Sequence, residues 1–382
     1  MKLLVFLDEL YYKYGTKYLS KFNAGRFLLN LKKNYELLFA FPVTTHKGNI
    51  SNYTTAVDNV RVVELGEWDS LLSYLKRYNY YNRLLEKKLS SIIEEVDVVW
   101  LRFPSIPGLK IAEICLKNKK PMIIHLAGDI SKAYENKKYQ GFKRFPAYAL
   151  GKWMHNKTKR IIQSSNNHIY PLCTGSQLER AFKHPNTKFF IDSEVNPIKN
   201  NIEINSPPKK FIYVGRLLES KGILLLLKAW SLIENDLELN IVGYGKLEKQ
   251  VKEYCSQDHR VKFHGFKTGS ELAKLYTQSD CLILPSITSE GFPRVITEAW
   301  AYGLPVIASN VGGISSMGKH KENLLFFEPE NLTGLIANIK VISNDVELFK
   351  TLQLNSYHAA QKVSKNTMLN LVKEILDKYD NK

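Results

Sequence analysis

The sequence is poor in cysteine and contains no long apolar segment. Its four cysteines, in 382 residues, stand far apart and show none of the paired spacings of a zinc site, which fits a reducing compartment. No stretch approaches the ~18–20 apolar residues of a membrane-spanning helix. The opening MKLLVFLDEL is interrupted at Asp8, so it predicts a first strand rather than a secretory signal, which needs roughly 7–15 apolar residues. We therefore expect a cytoplasmic chain without a transmembrane segment.

Acidic residues are scarce in the first half of the chain. Residues 1–200 contain 32 Lys and Arg against 17 Asp and Glu, a balance of +15, whereas the remainder is nearly neutral at +2. A basic half of this kind favours a large anionic surface as partner, either nucleic acid or the anionic leaflet of a membrane, over a solvated surface without a partner. Apolar and charged contents of 44% and 24% are globular values, and the length suggests two domains.

Strand-like and helix-like patterns alternate through both halves, which predicts an α/β protein with parallel sheets covered by helices. Residues 192–208 are rich in Asn, Pro and Ser and predict a linker. We expect a first domain at 1–191, a second at 209–360, and a C-terminal helix at 361–382 that returns to the first domain. Strands of the second half are expected at 211–214, 237–242, 261–263, 281–284, 306–308 and 324–327.

Three local predictions concern the first half. Residues 11–16, which follow the first strand, predict a loop at the ligand-binding end of the sheet. Residues 17–33 predict a helix with a partly apolar face. Residues 69–93 predict one long helix with Asp69 as its N-cap.

Basic and aromatic side chains are interleaved between residues 132 and 160. Such a mixture suits a helix that lies on an anionic membrane interface. No nucleic-acid-binding signature accompanies it, so we expect membrane contact and no nucleic acid. The alternative is that the aromatic and apolar side chains of this stretch simply face the core of the protein. These residues are Phe142, Phe145, Tyr148, Trp153 and Met154.

One stretch, residues 284–313, reads as strand, loop, helix and strand, with glycines at both turns. Pro293 suits the first position of the helix and Gly303 its end. Glu290 precedes the helix and Glu298 lies within it. The free N–H groups at the helix entrance favour an anion, and the neighbouring Glu290 is better suited to accept hydrogen bonds from hydroxyls. The stretch predicts a pocket for a ligand that carries phosphate and hydroxyl groups.

Two earlier strand ends add to this pocket. Gly215-Arg216 is followed by Lys221-Gly222, and the fork of the arginine and the point charge of the lysine can together neutralise a diphosphate. Gly243-Tyr244-Gly245 forms a turn that lets the backbone approach a ligand. Because all three sites follow predicted parallel strands, we expect them at one edge of the sheet.

Read together, VGRLLESKGILLLLKAW, VGYGKLE, VKFHGF and SEGFPRVITEAWAYGLPVIASNVGG resemble the second domain of the family-four (glycosyl transferases group 1) retaining glycosyltransferases of the GT-B fold. The resemblance is close over residues 209–330 and holds only in outline before them. It implies two Rossmann-like domains facing across a cleft, a nucleotide-sugar donor held mainly by the second, retention at the anomeric carbon and no essential metal or other cofactor. No Asp-x-Asp motif occurs, which agrees with the absence of a metal.

The resemblance also implies roles for individual residues. Arg216 and Lys221 would bind the donor diphosphate and stabilise it as it leaves. Glu290 would hold hydroxyls of the donor sugar and Glu298 those of the ribose, with UDP favoured over GDP as the nucleotide. Further donor contacts are implied for Gly243, Phe266, Lys267, Gly291, Phe292, Pro293 and Arg294.

In the first half, His125, with Asp129 close by, resembles the family's histidine near the donor sugar and is a candidate catalytic residue together with Glu290, Arg216 and Lys221. Arg102 resembles a strand-end arginine of polysaccharide-building members. Many members carry a Gly-Gly pair in the first loop, where this chain has only Gly15. We expect the backbone at Gly15 to approach the donor in place of that pair.

The resemblance and the basic first half together predict a hexosyltransferase that extends a glycan carried on a membrane lipid. We expect it to act in bacterial capsule, O-antigen or exopolysaccharide assembly, at the inner face of the plasma membrane. An epimerase of the same fold is not expected to carry the Glu-x7-Glu loop, and a phosphorylase needs a longer chain with a pyridoxal lysine. A basic nucleic-acid-binding protein without catalysis is the alternative from another class.

Overall fold

The structure is a computed structural model. It divides into two compact units: unit 1 comprises Met1–Asp192 and Met368–Lys382, and unit 2 comprises Ser193–Thr367. The residues that it describes are 1–22, 24–45, 53, 55–128, 144–164, 168–198, 206–233, 236–288 and 291–380.

Unit 1 contains a main sheet of seven parallel strands in the order β11-β10-β9-β8-β1-β4-β7 and a second sheet of four strands in the order β5-β2-β3-β6. The main strands are buried apolar runs, as parallel strands covered by helices on both faces should be. The strands are β1 (Lys2–Phe6), β2 (Tyr11–Tyr14), β3 (Lys17–Ser20), β4 (Glu36–Phe41), β5 (Val43–Thr45), β6 (Thr55–Val57), β7 (Arg61–Glu64), β8 (Val98–Phe103), β9 (Met122–Leu126), β10 (Ile169–Cys173) and β11 (Lys188–Phe189).

Helices cover both faces of the main sheet of unit 1. The C-terminal helix packs Met368, Val372 and Leu376 into the same buried cluster as β1 and β4, and Tyr35 donates a 2.7 Å hydrogen bond to Asp377 in it. The helices of the unit are α1 (Ala24–Leu29), α2 (Leu71–Lys76), α3 (Tyr78–Glu95), α4 (Ile106–Lys117), α5 (Arg144–Ile162) and α6 (Ser176–Ala181), with the C-terminal helix α13 (Lys365–Asp380).

The second sheet corrects two predictions. The loop predicted at 11–16 begins with strand β2, and the helix predicted at 17–33 begins with strand β3, which pairs antiparallel with β2. Only the later part is helical, as α1 and a 3-10 turn at Asn30–Lys33. The physical reason is composition, since tyrosines recur along this segment and aromatic residues favour the pleated, half-buried surface of a sheet.

The single helix predicted at 69–93 is wrong in two respects. It is divided into α2 and α3 at Arg77, whose backbone leaves the helical region at φ −126° and ψ 34°. Its N-cap is Ser70, not Asp69, because Ser70 and Ser73 form a reciprocal capping box that satisfies both backbone N–H groups.

Unit 2 contains one sheet of six parallel strands in the order β14-β13-β12-β15-β16-β17. The six predicted strands and the alternation with helices are confirmed. The strands are β12 (Lys210–Val214), β13 (Glu238–Val242), β14 (Val261–Phe263), β15 (Cys281–Leu284), β16 (Val306–Ser309) and β17 (Leu325–Phe327). The helices are α7 (Ile223–Ser231), α8 (Glu248–Gln257), α9 (Gly269–Thr277), α10 (Arg294–Ala301), α11 (Leu332–Asn344) and α12 (Val346–Lys362).

Candidate functional site

The candidate site lies at the carboxyl edge of the sheet of unit 2. Strands β12, β13, β14 and β15 are parallel neighbours there, so the loops that follow them emerge on one side. This is the edge at which open α/β sheets bind ligands. The structure thus brings together the sequence motifs that follow these four strands.

Three glycines let these loops touch through their backbones. Gly243 has φ +152°, and a Cβ on it would lie 1.8 Å from the carbonyl oxygen of Gly215. Its N–H donates to the carbonyl of Gly265 at 2.8 Å. Since no side chain fits between Gly243 and the loop after β12, glycine at this position is required by packing within the edge itself.

A fourth glycine joins the Arg216–Lys221 loop to the loop after β15. Gly222 has φ +70°, and a Cβ on it would lie 1.8 Å from the carbonyl oxygen of Pro285. Ile287 donates its N–H to the carbonyl of Ser220 at 2.9 Å. The loop that carries Lys221 is therefore fixed against the segment that leads to α10.

The two predicted cations are placed differently with respect to solvent. Arg216 is exposed, and its backbone is held by the hydroxyl of Tyr213, which donates to the Arg216 carbonyl at 2.9 Å. Lys221 is half-buried at the end of a 3-10 turn. Both lie in one loop at the carboxyl edge of the sheet, as the sequence predicted.

Helix α10 begins at this edge. Pro293, predicted at the first helical position, is instead the N-cap, because its backbone is extended at ψ 128°, and Arg294 is the first helical residue. Phe292 is buried and packs on Trp300, with ring centroids 5.6 Å apart, which fixes the entry to the helix. The predicted Glu290 lies outside the described residues, as does Asp129 of the first half.

Glu298 is held in place by a buried phenol. Tyr276 in α9, which is 1% exposed, donates a 2.9 Å hydrogen bond to Oε2 of Glu298. The Tyr276 ring stacks on Tyr302 at 5.3 Å. Burial raises the pKa of Tyr276 far above its usual range, and the nearby Glu298 carboxylate raises it further, so the phenol is a permanent donor.

Two exposed aromatic rings stand at the far end of the edge. Tyr244 and Phe266 are 49% and 40% exposed, and their rings meet edge to face with centroids 5.1 Å apart. Lys267 beside them pairs with Glu271 at 2.8 Å. Each exposed ring offers an apolar face on which a nucleobase can pack.

A polar chain supports this end from behind. His264 shares a 2.7 Å hydrogen bond with Oδ1 of Asn240, and Asn240 donates to Glu238 at 3.0 Å. Lys262 completes the chain with a 2.6 Å ion pair to Glu238. Burial lowers the pKa of His264, which favours the neutral ring.

The carboxyl edge of the main sheet of unit 1 holds a second polar group. Arg102 and His125 are register partners on β8 and β9, so their side chains project to the same face of the sheet. Arg102 pairs with Glu9 at 3.2 Å. His125 is 3% exposed and meets the ring of Phe190 edge to face at 4.9 Å. Whether either residue contacts a substrate stays a prediction.

Asp8 and Gly15 belong to the same region of unit 1. Asp8 accepts hydrogen bonds from Trp68 at 2.7 Å and from Ser105 at 2.8 Å, and burial raises its pKa. Gly15 lies at the exposed tip of the β2–β3 hairpin with φ +58°, a conformation that the tight turn requires. The turn accounts for the glycine, and a donor contact by Gly15 stays a prediction.

Comparison with known proteins bears on this geometry. The model of the family "Glycosyl transferases group 1" matches residues 194–359. A glycosyltransferase of Methanocaldococcus jannaschii is 33% identical over 152 residues, which is 38% of this chain and 39% of the relative. The amylovoran biosynthesis glycosyltransferase AmsK of Erwinia amylovora is 32% identical over 140 residues, 33% of this chain and 34% of the relative.

Similarity to solved structures extends over the whole chain. HepE of Anabaena in complex with UDP-glucose superposes with a TM-score of 0.67 at 18% identity, covering 99% of this chain and 100% of HepE. Residues 194–359 thus match the group 1 glycosyltransferases, and the fold of the chain is GT-B. The aligned segments span less than half the length of the first curated relatives that the chain matches.

The basic and aromatic stretch is described from residue 144 onward, as helix α5, and residues 132–143 lie outside the described part. Phe145, Tyr148 and Trp153 are 77%, 39% and 41% exposed, whereas Met154 is buried. The alternative that the aromatics face the core therefore fails for these three rings. Beside them, α4 and α5 border an open cavity of about 510 Å³ in which Lys157 pairs with Glu113 at 2.6 Å.

The described residues contain neither a metal-binding cluster nor a membrane-spanning helix. Within them, no three His, Cys, Asp or Glu side chains are grouped so that they could hold a metal ion. Within the same residues, no helix has both the length and the apolar character needed to cross a membrane.

Tyr276 and Tyr244 are the site residues that sequence reasoning missed. Tyr276 precedes Glu298 by 22 residues and lies on another helix, so no spacing rule links them. Tyr244 stands between the two glycines of the turn at Gly243 and Gly245. An exposed aromatic inside a glycine turn was the available signal.

Proposed function

We propose that this chain is a glycosyltransferase that moves a hexose from UDP-hexose to a hydroxyl of a glycan during polysaccharide assembly. One observation carries the proposal: the loops after four parallel strands of unit 2 join at one edge, where they bring two cations, a helix entrance and an anchored carboxylate together. The match of residues 194–359 to the group 1 family and the UDP and UDP-glucose complexes of HepE support it.

In this proposal the diphosphate lies at the Arg216–Lys221 loop and the entrance of α10. Breaking the glycosidic bond moves an electron pair onto the diphosphate. Fixed cations and free backbone N–H groups stabilise that charge as it develops, without a metal. Retention at the anomeric carbon requires the acceptor hydroxyl to enter from the face that the diphosphate leaves.

The rest of the donor takes the neighbouring positions. Glu298, oriented by Tyr276, accepts hydrogen bonds from the ribose hydroxyls. The uracil ring packs on Tyr244 and Phe266 next to Lys267. The hexose lies by the loop that leads into α10, where Glu290, known from sequence alone, accepts from its hydroxyls. Donor contacts are proposed also for Gly243, Gly291, Phe292, Pro293 and Arg294.

The acceptor of the proposed reaction is a glycan carried on a membrane lipid. The name of AmsK supports a role in polysaccharide biosynthesis. Helix α5 supports the membrane, because it exposes Phe145 and Trp153 among lysines and arginines, the composition of helices that lie on anionic interfaces. We place the chain at the inner face of the plasma membrane on this ground.

Donor turnover tests the proposal. Incubation of the full chain with UDP-hexoses should release UDP slowly by transfer to water, and GDP-hexoses should release little GDP. Lys221→Ala should lower the release by roughly a hundredfold, the usual effect of losing one stabiliser of a developing charge. Lys228→Ala, an exposed lysine of α7, is the matched control and should leave it unchanged. No release from any nucleotide sugar would overturn the proposal.

A further inference from the structure

The small sheet of unit 1 carries an outward face rich in tyrosine and lysine. We propose that this face binds an anionic sugar of the acceptor glycan, that is, a sugar that bears a carboxylate or a phosphate. The inference rests on the proposed function only in identifying this glycan as the acceptor. We define the tyrosine–lysine face by Tyr12, Tyr14, Lys17, Lys21 and Tyr53.

The location of this sheet favours a ligand. Strand β2 follows β1, and β5 follows β4, so the sheet continues from the carboxyl ends of two central strands of unit 1. Ligands of open α/β sheets bind beyond those ends. The small sheet therefore occupies the positions that loops usually take after β1 and β4.

Strand register separates the two faces of the hairpin. Tyr14 stands opposite Lys17, and Tyr12 stands two residues before Tyr14 on the same face. Lys13 and Tyr18 form the pair on the other face, where both bond Glu64, at 2.8 and 2.7 Å. The second face therefore contacts the main sheet of unit 1 through Glu64 of β7.

The tyrosine–lysine face is arranged around Lys21. The rings of Tyr12 and Tyr53 lie 5.2 Å apart and tilted. The ammonium of Lys21 lies 5.9 Å from the centre of one ring and 5.8 Å from the other. These contacts hold a cation at the level of the aromatic surface.

The charge of this face is not balanced locally. Residues 11–22 contain no Asp or Glu. Lys17 and Lys21 are exposed, and in the part of the chain that the structure describes no carboxylate lies within 4.0 Å of either ammonium. Lys13, by contrast, is neutralised by Glu64. Two lysines therefore remain to meet a negative group from outside the protein.

Tyrosine rings with cations at their margin match an acidic sugar. The apolar C–H face of a pyranose packs on an aromatic ring, the phenol hydroxyls bond its hydroxyl groups, and the lysines meet its carboxylate or phosphate. The apolar face of a helix that lies on a membrane is built mainly from Trp, Phe and Leu. Tyrosine is the only aromatic residue within β2 and β3, and Phe22, which is 57% exposed, lies beyond the end of β3. The hydroxyl-bearing rings of the tyrosine–lysine face therefore favour a glycan over a membrane as the occupant.

Binding of charged and neutral forms of one glycan tests this inference. The full chain, without nucleotide, is titrated calorimetrically at low salt with hexameric oligogalacturonate, with its methyl ester, and with a phosphorylated dextran oligomer beside plain dextran. Oligogalacturonate or the phosphorylated oligomer should bind at least about tenfold more tightly than its neutral form. If oligogalacturonate binds more tightly, the face recognises a carboxylate; if the phosphorylated dextran oligomer binds more tightly, it recognises a phosphate.

Matched variants locate the binding. Lys17→Gln with Lys21→Gln should weaken the anionic glycan about tenfold, since each exposed ion pair contributes modestly. Tyr12→Leu should weaken charged and neutral forms alike. Lys87→Gln with Lys228→Gln, exposed lysines elsewhere with the same loss of charge, should leave binding unchanged. Circular dichroism checks that each variant is folded.

Three results would overturn the inference: equal affinity for charged and neutral glycans, no binding of any of them at millimolar concentration, or equal losses in the two double variants. The chain could instead bind phosphatidylglycerol vesicles and no glycan, and lose vesicle binding in the variant Lys17→Gln with Lys21→Gln. That result would assign the face to a membrane. UDP binding is measured separately on the same preparation. UDP binding without glycan binding defeats this inference alone, and glycan binding without UDP binding defeats the proposed function alone.

Discussion

The phenol of Tyr276 donates a 2.9 Å hydrogen bond to Glu298 from a position that is almost fully buried. This bond orients the carboxylate that we assign to the ribose. Tyr276→Phe should therefore weaken UDP binding about fivefold and cost about 1 kcal/mol of the free energy of unfolding. Calorimetric titration and urea unfolding measure the two effects. Tyr357→Phe, on α12, is the control, and equal UDP affinity in both variants would contradict the assignment.

Gly243 is where two loops of the edge meet. Gly243→Ala places a methyl group 1.8 Å from a carbonyl oxygen at φ +152°, so it should lower the free energy of unfolding by about 3 kcal/mol or more. Gly265→Ala is the comparison, because its φ is +68° but nothing lies within 4 Å of the added Cβ. That variant should lose only about 1–2 kcal/mol. Equal losses in urea unfolding would show that backbone strain alone, without the close approach, sets the cost.

The exposed ring of Tyr244 should matter for the nucleobase. Tyr244→Ala should weaken UDP binding about tenfold, since stacking of a base on an aromatic ring contributes roughly 1–3 kcal/mol. Tyr244→Phe keeps the ring and should bind as the unchanged protein does. Titration with UDP measures both variants. If the alanine variant binds UDP normally, the base lies elsewhere.

His264 gives unit 2 a defined pH dependence. Its pKa is lowered from the usual 6.5, first by burial and further by Lys262 and Lys267, against the opposing effect of Glu238. Below about pH 6.5 the unfolded chain therefore binds a proton that the folded chain resists, and stability falls as the pH falls. His264→Gln should lose less stability between pH 7.5 and 5.5 than the unchanged protein.

Urea unfolding at the two pH values measures this difference. His358→Gln, an exposed histidine on α12, controls for the loss of any histidine. A pH dependence of His264→Gln as steep as that of the unchanged protein would contradict the proposed origin.

The fold of unit 2 could be predicted closely because its strands are continuous apolar runs between polar turns. Residues 261–263 and 281–284 were predicted as strands with the bounds that the structure has. Buried parallel strands leave this signal in any sequence. The hairpin at Tyr11–Ser20 gave no such signal, because Leu19, Phe22 and Phe27 happen to fall at helical spacing.

The candidate site likewise has a part that the sequence predicts and a part that only the structure shows. Glycines with positive φ and the residues beside them are visible in the sequence, since few other residues tolerate those turns. The anchoring of Glu298 by Tyr276 and the pairing of Tyr244 with Phe266 arise between separate elements. Spacing along the chain does not encode such contacts, so only the structure reveals them.

The central claim is that the edge of unit 2 holds a uridine diphosphate. Thermal unfolding of the full chain with UDP, GDP and ADP in turn tests it most directly. UDP at a hundredfold excess over its Kd should stabilise the chain by roughly 2.7 kcal/mol. Lys221→Ala should remove most of that gain at the same concentration. No stabilisation by UDP at millimolar concentration, or equal stabilisation of Lys221→Ala, would contradict the claim.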